Sequence, residues 1–165
     1  MLDRHLVIWA EASAPGVPTR MHAASALTGK PLPLPPALQP LRNVTGLYTD
    51  GHRIAYLNAS YRSLWWSPSL DKRPNRVVGT RHVFDHIDNS VKVGGRYVGF
   101  GEQPSVFVAD TKTGRYVEVS RTFGFVYVNS AALLVVYGGG KKVLHPILRM
   151  AFVPLRDLPP MPACR

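Results

Sequence analysis

Cysteine is almost absent from this chain: Cys164, beside the C-terminus, is the only one in 165 residues. An internal disulfide is thereby excluded, and no CxxC or Cys/His spacing of a structural zinc site exists. Long apolar runs are lacking as well. The longest, Ala131 to Tyr137, falls far short of the ~20 residues a membrane-spanning helix needs. Residues 1–12 lack the charged start, apolar core and cleavage site of a signal peptide. The expectation is a soluble chain without a membrane span, with export open if Met1 is not the true start. No window of about 12 residues keeps a clean helical period without a Gly or Pro. Acidic residues are few, 10 Asp+Glu against 20 Lys+Arg, for a formal charge of +10.

What is present points to an all-β domain. Hydrophobic residues make up 45% of the chain, enough for a globular core, while fifteen Pro and fourteen Gly favour many turns. The stretch Val91 to Val119 shows the pattern best. Val91 and Val93 lead into Gly94-Gly95, a dipeptide suited to a two-residue hairpin. Arg96 to Phe100 reads as the return strand, and Gly101-Glu102-Gln103-Pro104 breaks the run. Val106 to Ala109 is a third strand. Asp110 to Gly114 is a turn, and Arg115 to Val119 alternates as a fourth strand. The sum is a four-stranded antiparallel meander.

Similar segments recur. Leu6 to Ala10 and Arg20 to Ala24 read as strands before the turn Leu27-Thr28-Gly29-Lys30. Pro31 to Pro40 is an edge strand or polyproline-like connector. Val44 to Tyr48 and Arg53 to Leu57 flank Asp50-Gly51, a strong hairpin signal. Ser63 to Trp66 and Arg76 to Val78 flank the turn at Ser69 to Lys72. Phe123 to Val128, Leu133 to Tyr137 and Ile147 to Val153 follow, and Leu155-Arg156-Asp157 is the last turn. Turns of the same kind thus centre near residues 28, 71, 113 and 156. A period of ~43 residues with four strands per repeat is the spacing of propeller blades. The expected repeats are 1–41, 42–80, 87–120 and 121–165, the first lacking its first strand, with about fifteen strands in all.

Asp50-Gly51-His52-Arg53-Ile54-Ala55-Tyr56 followed by Leu64-Trp65-Trp66 resembles the blades of TolB-like propellers. Val106-Phe107-Val108-Ala109-Asp110 with Thr113-Gly114 is similar. The Gly-His and Trp-Asp marks of WD40 blades are missing, since Ser67 follows Trp65-Trp66. The resemblance implies a β-propeller repeat protein. With one blade incomplete, it further implies that the chain is the C-terminal part of a larger propeller, open blade edges inviting self-association.

Chemistry-bearing residues are sparse. His82, Asp85, His86 and Asp88 lie within seven residues in the loop from Thr80 to Asn89 and can bind a ligand or do acid/base work. Turn-forming Asp and packed His are the bland alternative. Lys72, Arg73 and Arg76 form the tightest basic group and are candidates for a polyanion such as nucleic acid. Trp65 and Trp66 alternate, which puts one in the core and the other near the surface. The stretch from Gly138 to Lys142 lacks GxxxxGK(S/T), and no G-x-S-x-G elbow exists. No catalytic residue, metal site or cofactor is expected. The leading expectation is a non-enzymatic binding or scaffold module with a protein or polymer ligand. One alternative is a polysaccharide hydrolase or lyase using Asp85, Asp88 or Glu102. The other is polyanion binding through the basic surface.

Overall fold

The computed structural model describes residues 5–11, 20–41, 44–58, 62–78, 87, 91–122, 124–139, 147–158 and 161. Thirteen strands stand in these residues, and a single 3-10 turn is the one helical element among them. They form four antiparallel sheets, each built from strands consecutive in the chain. The first pairs β1 (Leu6–Glu11) with β2 (Arg20–Ser25). The second is β3 (Val44–Thr49), β4 (Ile54–Asn58), β5 (Leu64–Ser67) and β6 (Asn75–Val78) in that order. The third is β7 (Lys92–Gly94), β8 (Tyr97–Glu102), β9 (Ser105–Asp110) and β10 (Arg115–Ser120). The fourth is β11 (Gly124–Val128), β12 (Ala132–Gly139) and β13 (Ile147–Pro154). The all-β expectation holds; the second and third sheets are four-stranded meanders, while the fourth has three strands and the first two.

Strand alternation distributes the core into three layers. Met21 of β2 packs with Ile54 and Tyr56 of β4, and with Ala37, Leu38 and Leu41 of the proline-rich segment, between the first and second sheets. Ala55, Leu57 and Leu64 meet Val93, Val98, Phe100 and Ala109 between the second and third. Val106 and Val108 meet Val126, Leu133 and Val135 between the third and fourth. On β4 the neighbours Ile54 and Ala55 therefore face different layers, and all of Ile54 to Leu57 is buried. A strand buried on both faces reads as an unbroken apolar run, which is how β4 is written.

The third and fourth sheets come closest where glycine replaces side chains. Gly99 on β8 lies under Val126, and Gly94 under the backbone of Val128 and Asn129. This moves the expected hairpin by one residue. Gly94 pairs with Tyr97 inside the ladder, and Gly95-Arg96 make the turn, Gly95 with φ +57°. Gly94 is needed in the strand for closeness rather than for a turn.

The ends of β2, β5, β9 and β13 are marked by pairing. Leu6, Ile54, Tyr97 and Ala132 pair with Ser25, Ser67, Asp110 and Pro154 respectively. These four positions fall at steps of 42, 43 and 44 residues (25 to 67, 67 to 110, 110 to 154). The turns that follow share chemistry. Ser25 Oγ accepts from the N–H groups of Leu27 and Thr28, and Asp110 Oδ1 from that of Lys112. The Ser67 hydroxyl lies 2.7 Å from each of the Ser69 and Lys72 carbonyls. Gly29 N–H donates to Ser25 O and Gly114 N–H to Asp110 O, with φ of +67° and +66°. In the first meander the fourth strand shrinks to one bridge, Ala24 to Pro31, after which the chain bends away. Leu32 N–H still donates to Ala23 O, but the next residue is Pro33, which has no N–H to give, and pairing stops there.

Candidate functional site

His82, Asp85, His86 and Asp88 lie outside the described residues. Between them, Ile87 is fully buried in the layer joining the second and third sheets and bridges to Glu102, the last residue of β8. Among the described residues no group of three His, Cys, Asp or Glu side chains is gathered as a metal site.

Lys72 and Arg73 are exposed in the turn between β5 and β6, and Arg76 is exposed on β6. The Lys72 backbone carbonyl accepts from the Ser67 hydroxyl. The Arg76 guanidinium sits over the Trp65 ring at 5.1 Å, and that ring stacks on Tyr56 at 5.9 Å. Arg76 thus caps an aromatic column as a cation over a π face. Both tryptophans are half-buried. Trp65 packs against the layer between the first two sheets, and Trp66 against the layer between the second and third.

A different basic site appears where the turns of the third and fourth sheets meet. A cleft of about 350 Å³ is lined by Arg96, Arg115 and Arg156 with Tyr97, Asp110 and Thr113. Arg96 comes from the β7–β8 turn, Arg115 opens β10, and Arg156 lies in the 3-10 turn Leu155–Asp157. Arg96 Nη2 is 3.3 Å from Asp110 Oδ2, and its guanidinium lies 5.0 Å from the Tyr97 ring centre. Arg115 Nη1 donates to Met161 O at 3.3 Å. Arg156 Nε is 3.6 Å from the carboxylate of Asp157, and its side chain is 86% exposed. Three guanidinium groups against two carboxylates, Asp110 in the lining and Asp157 beside Arg156, leave the cleft positive, with planar donors suited to carboxylate or phosphate groups. Linear charge runs do not reveal it, because the three arginines lie far apart in sequence. The available signal is the basic residue after the turn glycine, Thr28-Gly29-Lys30 and Thr113-Gly114-Arg115.

The fourth sheet carries the largest apolar exposure. Its inner face, with Val126, Leu133, Val135 and Val153, packs on the third sheet. Alternation turns Phe125, Tyr127, Leu134, Val136, Leu148, Met150 and Phe152 the other way. Register joins them in rows: Tyr127 opposite Leu134 and Leu134 opposite Phe152, then Phe125 opposite Val136 and Val136 opposite Met150. Leu148, Met150 and Phe152 are 63%, 74% and 70% exposed, and Phe125 and Tyr127 41% and 49%. At the other end of the stack Val7 and Trp9 are also exposed, but beside Glu11, Arg20 and His22.

A scan against protein-family models and a search of curated proteins find no match to this chain.

Proposed function

We propose that the chain is a non-enzymatic binding or scaffold module built of propeller-type blades, and that its principal contact surface is the outer face of the fourth sheet. The blade reading is supported by four consecutive antiparallel sheets, stacked in chain order, in which β2, β5, β9 and β13 end at steps near 43 residues. It is also supported by the wedge between the third and fourth sheets. Their inner strands touch at Gly94 and Gly99, while toward β10 they leave an apolar groove of about 310 Å³ lined by Val117, Val119, Leu133, Val135 and Val153. Sheets that diverge from a common axis pack in this way.

The observation that carries the contact surface is the exposure of Tyr127, Leu148, Met150 and Phe152 on one registered face. Large contiguous apolar patches on a domain surface mark contact sites. If this face meets a partner rather than the chain's own core, it tolerates polar replacement. A Met150→Thr/Phe152→Thr double variant, unfolded by urea at dilute protein, should keep its unfolding free energy within about 0.5 kcal/mol of wild type. Loss of about 3 kcal/mol or more, as for truncated core side chains, would show the face to be interior and refute the reading.

The three-arginine cleft favours a second reading, binding of a polyanion at the rim between the third and fourth sheets. Arg96 is the wrong residue to remove, since its loss leaves buried Asp110 without its ion pair. Arg115→Gln/Arg156→Gln should weaken binding of a heparin-derived oligosaccharide and flatten its dependence on salt. Equal affinity and equal salt slope in the variant would remove this site.

A further inference from the structure

We propose that the outer face of the fourth sheet is covered by the same face of a second copy of this chain, giving a two-fold symmetric, sheet-on-sheet dimer. The inference rests on the reading of that face as a contact surface and names its occupant.

Three observations select a second copy in this orientation. The first is area. Large side chains offer roughly 150–250 Å² each when fully exposed. Weighted by their exposed fractions, Phe125, Tyr127, Leu148, Met150 and Phe152 present about 600 Å². Two such faces bury about 1,200 Å² together, the lower end of the range for specific interfaces. The second is composition. The registered rows hold only aromatic, branched and thioether groups, with the Tyr127 hydroxyl at one end and the Lys92 ammonium 5.5 Å over the Tyr127 ring at the edge beside the third sheet. Such a face is complementary to itself, as a two-fold interface requires, and facing sheets pack at the spacing already used between the third and fourth.

The third observation excludes the other open end of the stack as the mate. The outer face of the first sheet has two strands against three. It carries Glu11 with His22 at 3.1 Å, and Trp9 stacked on His22 at 5.2 Å. Pressing the Glu11 carboxylate, and Arg20 beside it, onto Phe152 and Met150 would strip both of water with nothing to replace the lost hydrogen bonds. Head-to-tail contact is therefore the poorer match, and association stops at two copies.

Net charge adds a signature. Each copy carries +10, so the contact forms against long-range repulsion that salt screens. The dimer should tighten at least several-fold between about 50 mM and about 500 mM NaCl, opposite to a contact made of ion pairs.

Sedimentation velocity on the full chain from about 1 to 100 µM tests this, within the usual range of subunit affinities. The wild type should sediment at twice the 18.2 kDa chain mass. Met150→Thr/Phe152→Thr should sediment at the single mass while keeping the wild-type unfolding midpoint at dilution. Trp9→Thr should remain dimeric. A wild type at the single mass throughout overturns the dimer and leaves the face to another protein. The contact-surface reading is judged separately, by the folding of the double variant. Dissociation by Trp9→Thr, or growth beyond two copies, would show head-to-tail contact and overturn the proposal equally.

Discussion

Gly99 is the position at which the stacking of the sheets can be tested most sharply. It sits in the middle of β8, a central strand, where glycine normally weakens pairing. A Cβ built there would fall inside the van der Waals shell of Val126 Cγ1 and 3.1 Å from Val128 Cγ2. Both residues belong to β11, the strand of the fourth sheet nearest the third. Gly99→Ala thus forces one methyl into a filled layer, and overpacking of this kind costs about 1–3 kcal/mol. Val126→Ala errs the other way. It removes two carbons from a fully buried side chain, about 0.8 kcal/mol each for transfer plus a term for the void, so roughly 2–3 kcal/mol. The double variant places the new methyl in the space the valine vacates. Its cost should fall below the sum of the single costs by about 1–2 kcal/mol, the coupling typical of residues in contact. Urea unfolding of all four proteins at one protein concentration gives the cycle, and each kcal/mol should appear as about 2–4 °C in Tm. Costs that add to within about 0.5 kcal/mol would mean that β8 and β11 do not meet here, and the order of the stack would be wrong.

Two further predictions concern turns and pH. Gly29→Ala and Gly114→Ala should each cost about 1–2 kcal/mol in urea unfolding. At neither site would the new Cβ meet anything within 4 Å, so the cost lies in the left-handed backbone alone and should be alike at both. Markedly unequal costs would break the equivalence of the two turns. Burial pushes the Tyr56 hydroxyl up to about 12 from 10.0. The neutral phenol is the form the fold favours. Its contribution is therefore complete below pH 10 and is lost as pH rises from 10 through 12, where the unfolded chain ionises first. Absorbance near 295 nm should show one of the seven tyrosines titrating late in the folded protein. Removal of this late step by Tyr56→Phe checks the assignment.

The parts legible in the sequence are those written in short-range chemistry. Asp50-Gly51 marks a hairpin because Asp50 Oδ1 accepts from the N–H groups of His52 and Arg53 while Gly51 takes φ +99°. The Arg53 guanidinium also binds Asp50 Oδ2 at 3.0 Å. Burial alone would raise the Asp50 pKa, but these donors outweigh it and hold the carboxyl below 3.8. Thr113-Gly114 was legible for the same local reasons. Gly94-Gly95 was misplaced by one residue because the demand on Gly94 comes from Val128, in another sheet. The first meander ends in a single bridge at Pro31, so its expected edge strand is one residue long. The cleft of Arg96, Arg115 and Arg156 left only the basic residue after a turn glycine as its sign, since only the packing of two sheets brings these turns together.

The fourth sheet shows how sequence and structure can agree on a strand and still leave its environment open. Ala131 to Tyr137 is the longest apolar run in the chain, and β12 grows from it. Such runs belong to strands buried on both faces. β4 meets that condition within one chain, between the first and third sheets. β12 meets it fully on one side only: Leu133 and Val135 are buried against the third sheet, whereas Leu134 and Val136 are half-buried between the exposed Tyr127 and Phe152 and the exposed Phe125 and Met150. β13 repeats the pattern, with Val153 turned inward and Leu148, Met150 and Phe152 outward. The contrast with β1 is instructive. There the outward positions end in Glu11 and face His22 and Arg20, the composition of a surface that stays wet. The two ends of the stack therefore carry opposite instructions, one written for water and one for another apolar layer. This asymmetry is the physical basis for placing the contact surface on the fourth sheet.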